Sequence, residues 1–287
     1  MKVLITGAQG FTGRNLITAL QKTQASIELY ETGLKPENRP NFFPLNLQNQ
    51  QKVFDLINTL KPDQIYHLAG SFSNDYATDY QNNVESTRHI LEAIHQLNLP
   101  TKVLLIGSAA EYGKISEKDN PINENQPLNP ISVYGLTKVI QYELAQYYIR
   151  KHNLAIVFAR TFNLKGKGCS PKLFVGRLNQ QIEAVKSKKA THIQLYNLDG
   201  KRDFIPVAKA VNYYQLIMEK GAIGTVYNVA AGVSTPVKDL LSELLEEANL
   251  PFSIVKVQNI QNRGVKEIYA DISKLSLLEK STVWKEV

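Results

Sequence analysis

A chain of 287 residues, 43% apolar and 21% charged, suits one large domain or two interlocked lobes, and it carries no low-complexity tract or internal repeat. Its formal charge of +7 describes a solvated basic surface or a basic cleft for an anionic substrate; no Lys/Arg run reaches five residues, "KSKK" at 186–189 being the densest, so no nucleic-acid partner is expected. One cysteine, Cys169, excludes an internal disulfide framework; no apolar run approaches the ~20 residues of a membrane span; the histidines (His67, His89, His95, His152, His192) lack metal-ligand spacing.

The chain opens directly on an apolar run that predicts a strand over 2–6, so no signal peptide is expected and a cytoplasmic location fits. A periodic segment then predicts a helix over 11–22, followed by a strand over 27–31. The Pro/Asn-rich stretch 36–46 reads as a loop. A helix over 50–60, a strand over 64–69, a helix over 82–97 and a strand over 102–108 come next. A second Pro/Asn-rich loop, 120–130, precedes a helix over 133–152 and a strand over 154–159. Helices over 172–187, 207–219 and 236–248 follow, with one more strand over 225–229.

Strands separated by helices of this length predict an α/β fold, a Rossmann-type doubly wound parallel sheet with helices on both faces. The near-continuous apolar character of 102–106 fits a strand buried on both sides. After Arg160 the pattern breaks into Lys-, Gly- and Pro-containing loops and short irregular segments. The expected division is a nucleotide-binding domain over 1–160, with 205–230 returning to it. Residues 161–204 and 231–287 then form a smaller C-terminal substrate-binding lobe over the carboxyl ends of the strands.

"VLITGAQGFTGRN" places Gly7, Gly10 and Gly13 between the first strand and the first helix. Glycine there lets the backbone approach a phosphate, and the helix amino-terminus offers N–H groups and a positive dipole end. The spacing is GxxGxxG, and no GK[ST] follows, so it is not a Walker A loop. Glu31, near the end of the second strand, can accept hydrogen bonds from ribose hydroxyls and repel a 2′-phosphate, which favours NAD. Lys35 and Arg39 are equally able to serve a 2′-phosphate, so NAD versus NADP stays open.

"VYGLTK" carries Tyr134 and Lys138 four residues apart, hence on one helix face. A tyrosine with a pKa near 10 is a poor base, and an adjacent ammonium favours its phenolate. The pair is therefore expected to exchange a proton near neutral pH. Ser108, at the end of the 102–108 strand, can hold the reacting carbonyl oxygen.

Together these residues resemble the extended short-chain dehydrogenase/reductases of the NAD-dependent epimerase/dehydratase type, which act on nucleotide sugars. The resemblance covers essentially the whole chain: the glycine turn, "IYHLAG", "NNVESTRHILEA", the Ser/Tyr/Lys set, "ARTFNLKGKG" and "RDFIPV". Gly70 and Ser86 depart from it, standing where the family more often has alanine and glycine. It implies catalytic Ser108, Tyr134 and Lys138, with Lys138 on the nicotinamide ribose. It extends the NAD(P)-binding set from Gly7, Gly10, Gly13 and Glu31 to Phe11, Asn46, Leu47, Leu68 and Ala69, with Asn83 in support. For a nucleotide-diphosphate sugar it implies Ser71, Asn163, Lys172, Arg202 and Arg263, with Phe72 bordering the sugar or packing. It also implies a homodimer through a four-helix interface built from 82–97 and 133–152, where Tyr142, Ala145, Tyr148 and Ile149 would suit either an interface or internal packing.

The family's 4,6-dehydratases carry acids one and two residues after the strand-end hydroxyl. Here those positions are Ala109 and Ala110 in "GSAAEYG", and Glu111 is expected to point elsewhere. Dehydration is thereby placed below 4-keto reduction and 4-epimerisation. The motif set most resembles reductases of GDP-4-keto-6-deoxy-mannose, with an epimerase as the alternative and a non-catalytic cofactor-binding protein disfavoured by the presence of both Tyr and Lys.

Overall fold

A computed structural model of the chain describes residues 1–23, 26–196, 198–258 and 266–281. Strands β1 (Lys2–Thr6), β2 (Glu28–Gly33), β3 (Phe42–Pro44), β4 (Gln64–His67), β5 (Lys102–Ser108) and β6 (Ala155–Thr161) join the strand Val226–Val229 in one seven-stranded sheet. The order across it is Val226–Val229, β6, β5, β4, β1, β2, β3, and every pairing is parallel. The order reverses between β1 and β4, the place where an open α/β sheet leaves a crevice for a ligand.

Side chains alternate across the sheet because successive Cβ atoms point to opposite faces. Val3 and Ile5 pack beneath α1 (Phe11–Thr23) and α7 (Val207–Lys220), with Leu16, Leu20, Ala210 and Tyr214. Leu4, Val103 and Leu105 pack on the other side under α2 (Gln50–Leu60), α4 (Ser86–Gln96) and α5 (Val133–His152), with Ile57, Ile94 and Ala145. Burying a side chain of this size contributes about 2 kcal/mol, so both faces must be covered for these strands to hold. The smaller lobe has its own core, where α6 (Phe174–Lys186) and α8 (Val237–Glu247) cover the parallel pair Ile193–Leu195 and Val255–Val257.

Three segments differ from the sequence reading. The stretch 36–46 is not all loop: Phe42–Pro44 adds a strand at the edge, its proline tolerated there. Three residues are too few to show a period, and burial of Phe42 decides the pairing. The helix over 82–97 begins earlier: α3 (Tyr76–Tyr80) runs through a π turn (Gln81–Glu85) into α4. Asp75 starts it by accepting from the Thr78 backbone N–H at 2.9 Å. Finally α9 (Ser273–Lys280), unforeseen, leaves the lobe assigned to 231–287 and buries Leu275 in the core shared by α1 and α7.

The helix α5 matches its expected bounds. Ser132 caps it through the Gly135 N–H, and Asn153 ends it in the left-handed conformation (φ 56°). Ala145 and Tyr148 are buried in the sheet-facing core, and Tyr142 and Ile149 pack against it. Intramolecular packing therefore accounts for all four, while Leu136 and Tyr147 are the exposed large side chains of this helix.

Candidate active site

The β1–α1 turn is built for close approach. Gly7 has φ +69°, and a Cβ there would stand 2.8 Å from the backbone nitrogen of Ala69. A Cβ on Gly13 would stand 2.4 Å from the Gly7 carbonyl oxygen. Only glycine permits this packing at the switch point, and the first-turn N–H groups of α1, including Phe11 and Gly13, have no partner within the helix. This cradle fits the pyrophosphate of a dinucleotide. Leu68 and Ala69 follow β4 beside it, half-buried. Leu47 is buried and its carbonyl accepts from His89 Nδ1 at 2.8 Å, while Asn46 is exposed and its Oδ1 accepts from the Gln48 N–H.

Glu31 lies inside β2 rather than at its end, and it is buried. Its Oε2 is 2.6 Å from Arg39 Nη2, and Arg39 Nε is 2.8 Å from Glu37. This is an ion-pair cluster rather than a set of aligned hydrogen bonds, since neither Glu31 Oε2 nor Arg39 Nε has one. Burial pushes the Glu31 carboxyl above its usual pKa despite Arg39. The carboxylate that would repel a 2′-phosphate and the guanidinium that would bind one thus neutralise each other.

The chemistry-bearing end lies where β5 meets α5. "SAAE" folds as a capping box: the Ala110 N–H donates to Ser108 Oγ at 3.2 Å, and the Ser108 N–H donates to Glu111 Oε1 at 2.6 Å. Gly107 leaves room for Glu111 to fold back, since a Cβ there would stand 2.5 Å from Oε1. Gly135 lets α5 settle on the same turn, where a Cβ would stand 2.4 Å from the Ala110 carbonyl oxygen. The small residues therefore bring the Ser108 hydroxyl close enough to the Tyr134 phenol to favour its ionised form.

Lys138 is buried, with Nζ 5.9 Å from the centroid of the Tyr134 ring. It donates to the Ile106 carbonyl and to Gln141 Oε1, both at 2.9 Å. Burial lowers its pKa to about 8, with Glu111 and Asp79 working against that shift. The tyrosine departs from expectation. Burial pushes its pKa up to about 12, and its hydrogen bond with Ser108 only moderates the rise. Desolvation is the largest cause, the negative charges of Glu111 and Asp79 add to it, and the phenol is held protonated.

Glu111 folds back beneath the strand end, and its second oxygen makes a buried ion pair with Arg160 at 2.7 Å. Burial still raises its pKa above the ordinary value. Asn83 links the 71–74 turn to α5: Oδ1 accepts from the Ser71 N–H, and Nδ2 donates to the Ser71 carbonyl and Thr137 Oγ1. Asp79, fully buried, accepts from the hydroxyls of Ser71 and Ser73 and from the backbone N–H of Asn74. Asp79, Arg160 and Gln141 were missed in the sequence because a lone polar residue on a helix or strand has no period; i+3 spacing from Lys138 was the one signal for Gln141.

The substrate candidates are less tightly held. Ser71 has given its hydroxyl proton to Asp79, and lone pairs alone remain for a sugar. The Phe72 ring stands edge-on to Tyr134, 5.0 Å between centroids, while remaining 37% exposed, so it packs on the tyrosine and faces outward. Asn163 donates to the Asp203 carbonyl, Arg202 Nη1 donates to the carbonyls of Lys201 and Lys266, and Lys172 is exposed before α6. Asp203 of the "RDF" motif is fully buried and accepts from the N–H groups of Ala231, Gly232 and Ala270, tying three segments together. Arg263 lies outside the described residues. Among the described residues no group of three or more His, Cys, Asp or Glu could hold a metal ion, and no helix is long and apolar enough to cross a membrane.

The model of the NAD dependent epimerase/dehydratase family matches residues 3–230. The chain belongs to that family. It is 25% identical to a GDP-6-deoxy-D-mannose reductase of Pseudomonas aeruginosa, over 99% of this chain and 91% of the relative. It is 29% identical to an uncharacterized UDP-glucose epimerase of Bacillus subtilis, over 97% and 92%. The fold matches a solved structure of RMD from Pseudomonas aeruginosa complexed with NADPH, with TM-score 0.83, 23% identity and coverage of 97% and 92%. Relatives in this epimerase/dehydratase family are NAD(P)-dependent enzymes of nucleotide sugars.

Proposed function

We propose that this enzyme reduces the C4 ketone of a nucleotide-linked 4-keto-6-deoxy-hexose of the GDP-4-keto-6-deoxy-mannose type, using NAD(P)H. The carrying observation is the composition of the β5–α5 junction. A hydroxyl, Ser108, meets a protonated phenol, Tyr134, while the flanking positions are Ala109 and Ala110 and Glu111 is buried against Arg160. Such a site can give a proton to an oxygen, and it presents no carboxylate there to take a proton from C5.

Bound NAD(P)H would supply the hydride. The residues Gly7, Gly10, Phe11, Gly13, Leu68 and Ala69 would hold it along the switch point, with Asn46, Leu47 and Glu31 toward the adenosine. Ser108 donates a hydrogen bond to the ketone oxygen. Tyr134 transfers its proton to that oxygen as the alcohol forms. Lys138 steadies the phenolate left behind and orients the ribose. Asn163, Arg202 and Arg263 would meet the diphosphate, with Arg's planar fork suited to its oxygens, and Lys172 would lie along the nucleotide. Ser71, through its lone pairs, would border the sugar.

The 25% identity to a GDP-6-deoxy-D-mannose reductase over nearly the whole chain supports the guanosine nucleotide. The 29% identity to a UDP-glucose epimerase supports a second reading, 4-epimerisation. The deciding assay follows nicotinamide absorbance with NADH and NADPH and with GDP-, dTDP- and CDP-linked 4-keto-6-deoxy sugars. Stoichiometric oxidation with the GDP sugar supports the reductase and identifies the cofactor. Tightly retained NAD with no net oxidation supports the epimerase. The reading includes a cytoplasmic homodimer joined through α4 and α5, whose exposed Leu136 and Tyr147 suit an interface. Sedimentation of the protein with Tyr147→Glu tests that interface: a wild-type dimer that the variant converts to monomer supports it, and an unchanged dimer rejects it.

A further inference from the structure

We propose that Gln141 is the positioning residue for Lys138, fixing the direction of its ammonium through a buried chain that reaches the glycine turn. This rests on the reading of Lys138 as part of the site. A lysine ammonium has three protons and a flexible stem, so something must set their directions. The Ile106 carbonyl takes one proton and Gln141 Oε1 takes a second, both at 2.9 Å. The side toward Gly70 is kept open: a Cβ on Gly70 would stand 3.6 Å from Nζ and 2.8 Å from Asn83 Oδ1. The third proton is thereby left for the reacting site.

Gln141 can do this because its own amide is locked. It is 3% exposed, and its Nε2 donates to Thr87 Oγ1 at 2.7 Å. The Thr87 hydroxyl has one proton and gives it to the Asn83 carbonyl at 2.7 Å. Thr87 must therefore accept from both Gln141 and His67 Nε2, the latter at 3.0 Å. That makes His67 the neutral Nε2–H tautomer, consistent with burial lowering its pKa to about 3. Its Nδ1 then accepts from Thr6 Oγ1 at 2.7 Å, and Thr6 accepts from the Ala69 N–H. The hydroxyl and ring protons along the chain each have one place, so a flipped amide would set Nε2 against the Lys138 ammonium and Oε1 against a Thr87 oxygen whose proton is already given away. The chain runs from the end of β1, beside Gly7, to the catalytic lysine.

The charges facing Lys138 from its neighbours define the test. Glu111 after β5 and Asp79 on α3 raise its pKa, Arg160 on β6 is paired with Glu111, His67 on β4 is neutral, and Tyr134 on α5 is protonated. Gln141→Leu removes an acceptor and leaves the ammonium less supported, whereas Gln141→Glu keeps an acceptor and adds a negative charge. In cofactor-free protein carrying 13C-lysine, the Lys138 Cε resonance, assigned with Lys138→Arg, is expected to titrate near pH 8 in the wild type. The midpoint should fall in Gln141→Leu and rise in Gln141→Glu, each by on the order of one pH unit. In parallel, Gln141→Leu should lower kcat by roughly 10- to 100-fold with little change in the sugar KM. Gln141→Glu should recover part of that loss, with its alkaline limb moved upward.

Equal midpoints in all three proteins would overturn the proposal. If Gln141→Leu does not fold, Gln141→Glu against Thr87→Val decides: the first must raise the midpoint and the second must change it by loosening the amide. Tyr134→Phe separates the two readings. Turnover retained in Tyr134→Phe sinks the reductase assignment while the titration still judges Gln141. Turnover lost there, with no midpoint shift in the Gln141 variants, sinks the positioning role alone.

Discussion

The two ends of the candidate site are built differently. At the β5–α5 junction, Ser108, Glu111, Lys138, Gln141, Asn83 and Asp79 each hold hydrogen bonds that involve side chains as well as backbone groups, and most are buried. At the end proposed to meet the substrate's nucleotide and diphosphate, Asn163 and Arg202 donate to backbone carbonyls and Lys172 is exposed. Proton transfer needs donor and acceptor held at a hydrogen-bond distance of about 2.6–3.2 Å, so its residues are locked in place. Attraction of a diphosphate works over a Debye length of about 8 Å, so its residues need only be near.

That contrast predicts a graded series. Tyr134→Phe should cut kcat on the order of 10³-fold while leaving dinucleotide affinity nearly intact, read by steady-state kinetics beside fluorescence titration. A small kcat change would dissolve the distinction between the two ends. Arg160→Met strands Glu111 as a buried, unpaired carboxylate, and should lower unfolding free energy by about 3–5 kcal/mol in urea. Adding Glu111→Gln to it should restore part of that loss.

His67 gives a pH signature. Its folded pKa, about 3, lies below the unfolded 6.5. Above pH 6.5 both states are neutral and the group contributes nothing. Below it the unfolded chain binds a proton that the folded chain refuses, so stability falls toward pH 3 by up to about 1.4 kcal/mol per pH unit. His67→Gln should lack that component of the slope in urea midpoints taken between pH 6.5 and 4. An unchanged slope would assign it to carboxylates instead.

The diphosphate end should respond more weakly. Arg202→Gln should raise the sugar KM by roughly 10-fold with kcat nearly unchanged, a loss of about 1.4 kcal/mol. Lys172→Ala, an exposed position, should change KM no more than a few-fold, and added salt should shrink the difference. A kcat effect at either position would show that this end also takes part in alignment.

Much of the architecture was legible along the chain. The alternation of short apolar runs with periodic segments predicted the doubly wound sheet, because burial on two faces imposes that pattern locally. Gly7, Gly10, Gly13, Ser108, Tyr134 and Lys138 stood out for the same reason: a turn needs glycine and a helix face needs i, i+4 spacing. The strand Phe42–Pro44 and helix α9 did not, since each is short and is stabilised by burying one side chain, Phe42 or Leu275, against distant elements.

The residue types and their order thus determined the sheet, the dinucleotide turn and the Ser/Tyr/Lys set. Tertiary structure alone decided the protonation of Tyr134, the pairing of Glu31 with Arg39, the burial of Glu111 on Arg160 and the chain from Thr6 to Lys138. Those depend on which groups are removed from water together, and residues far apart along the chain, such as His67 and Arg160, acquire their environments only when the whole sheet closes around them. Burial and proximity set charge states, and neither is a property of a residue's neighbours in sequence.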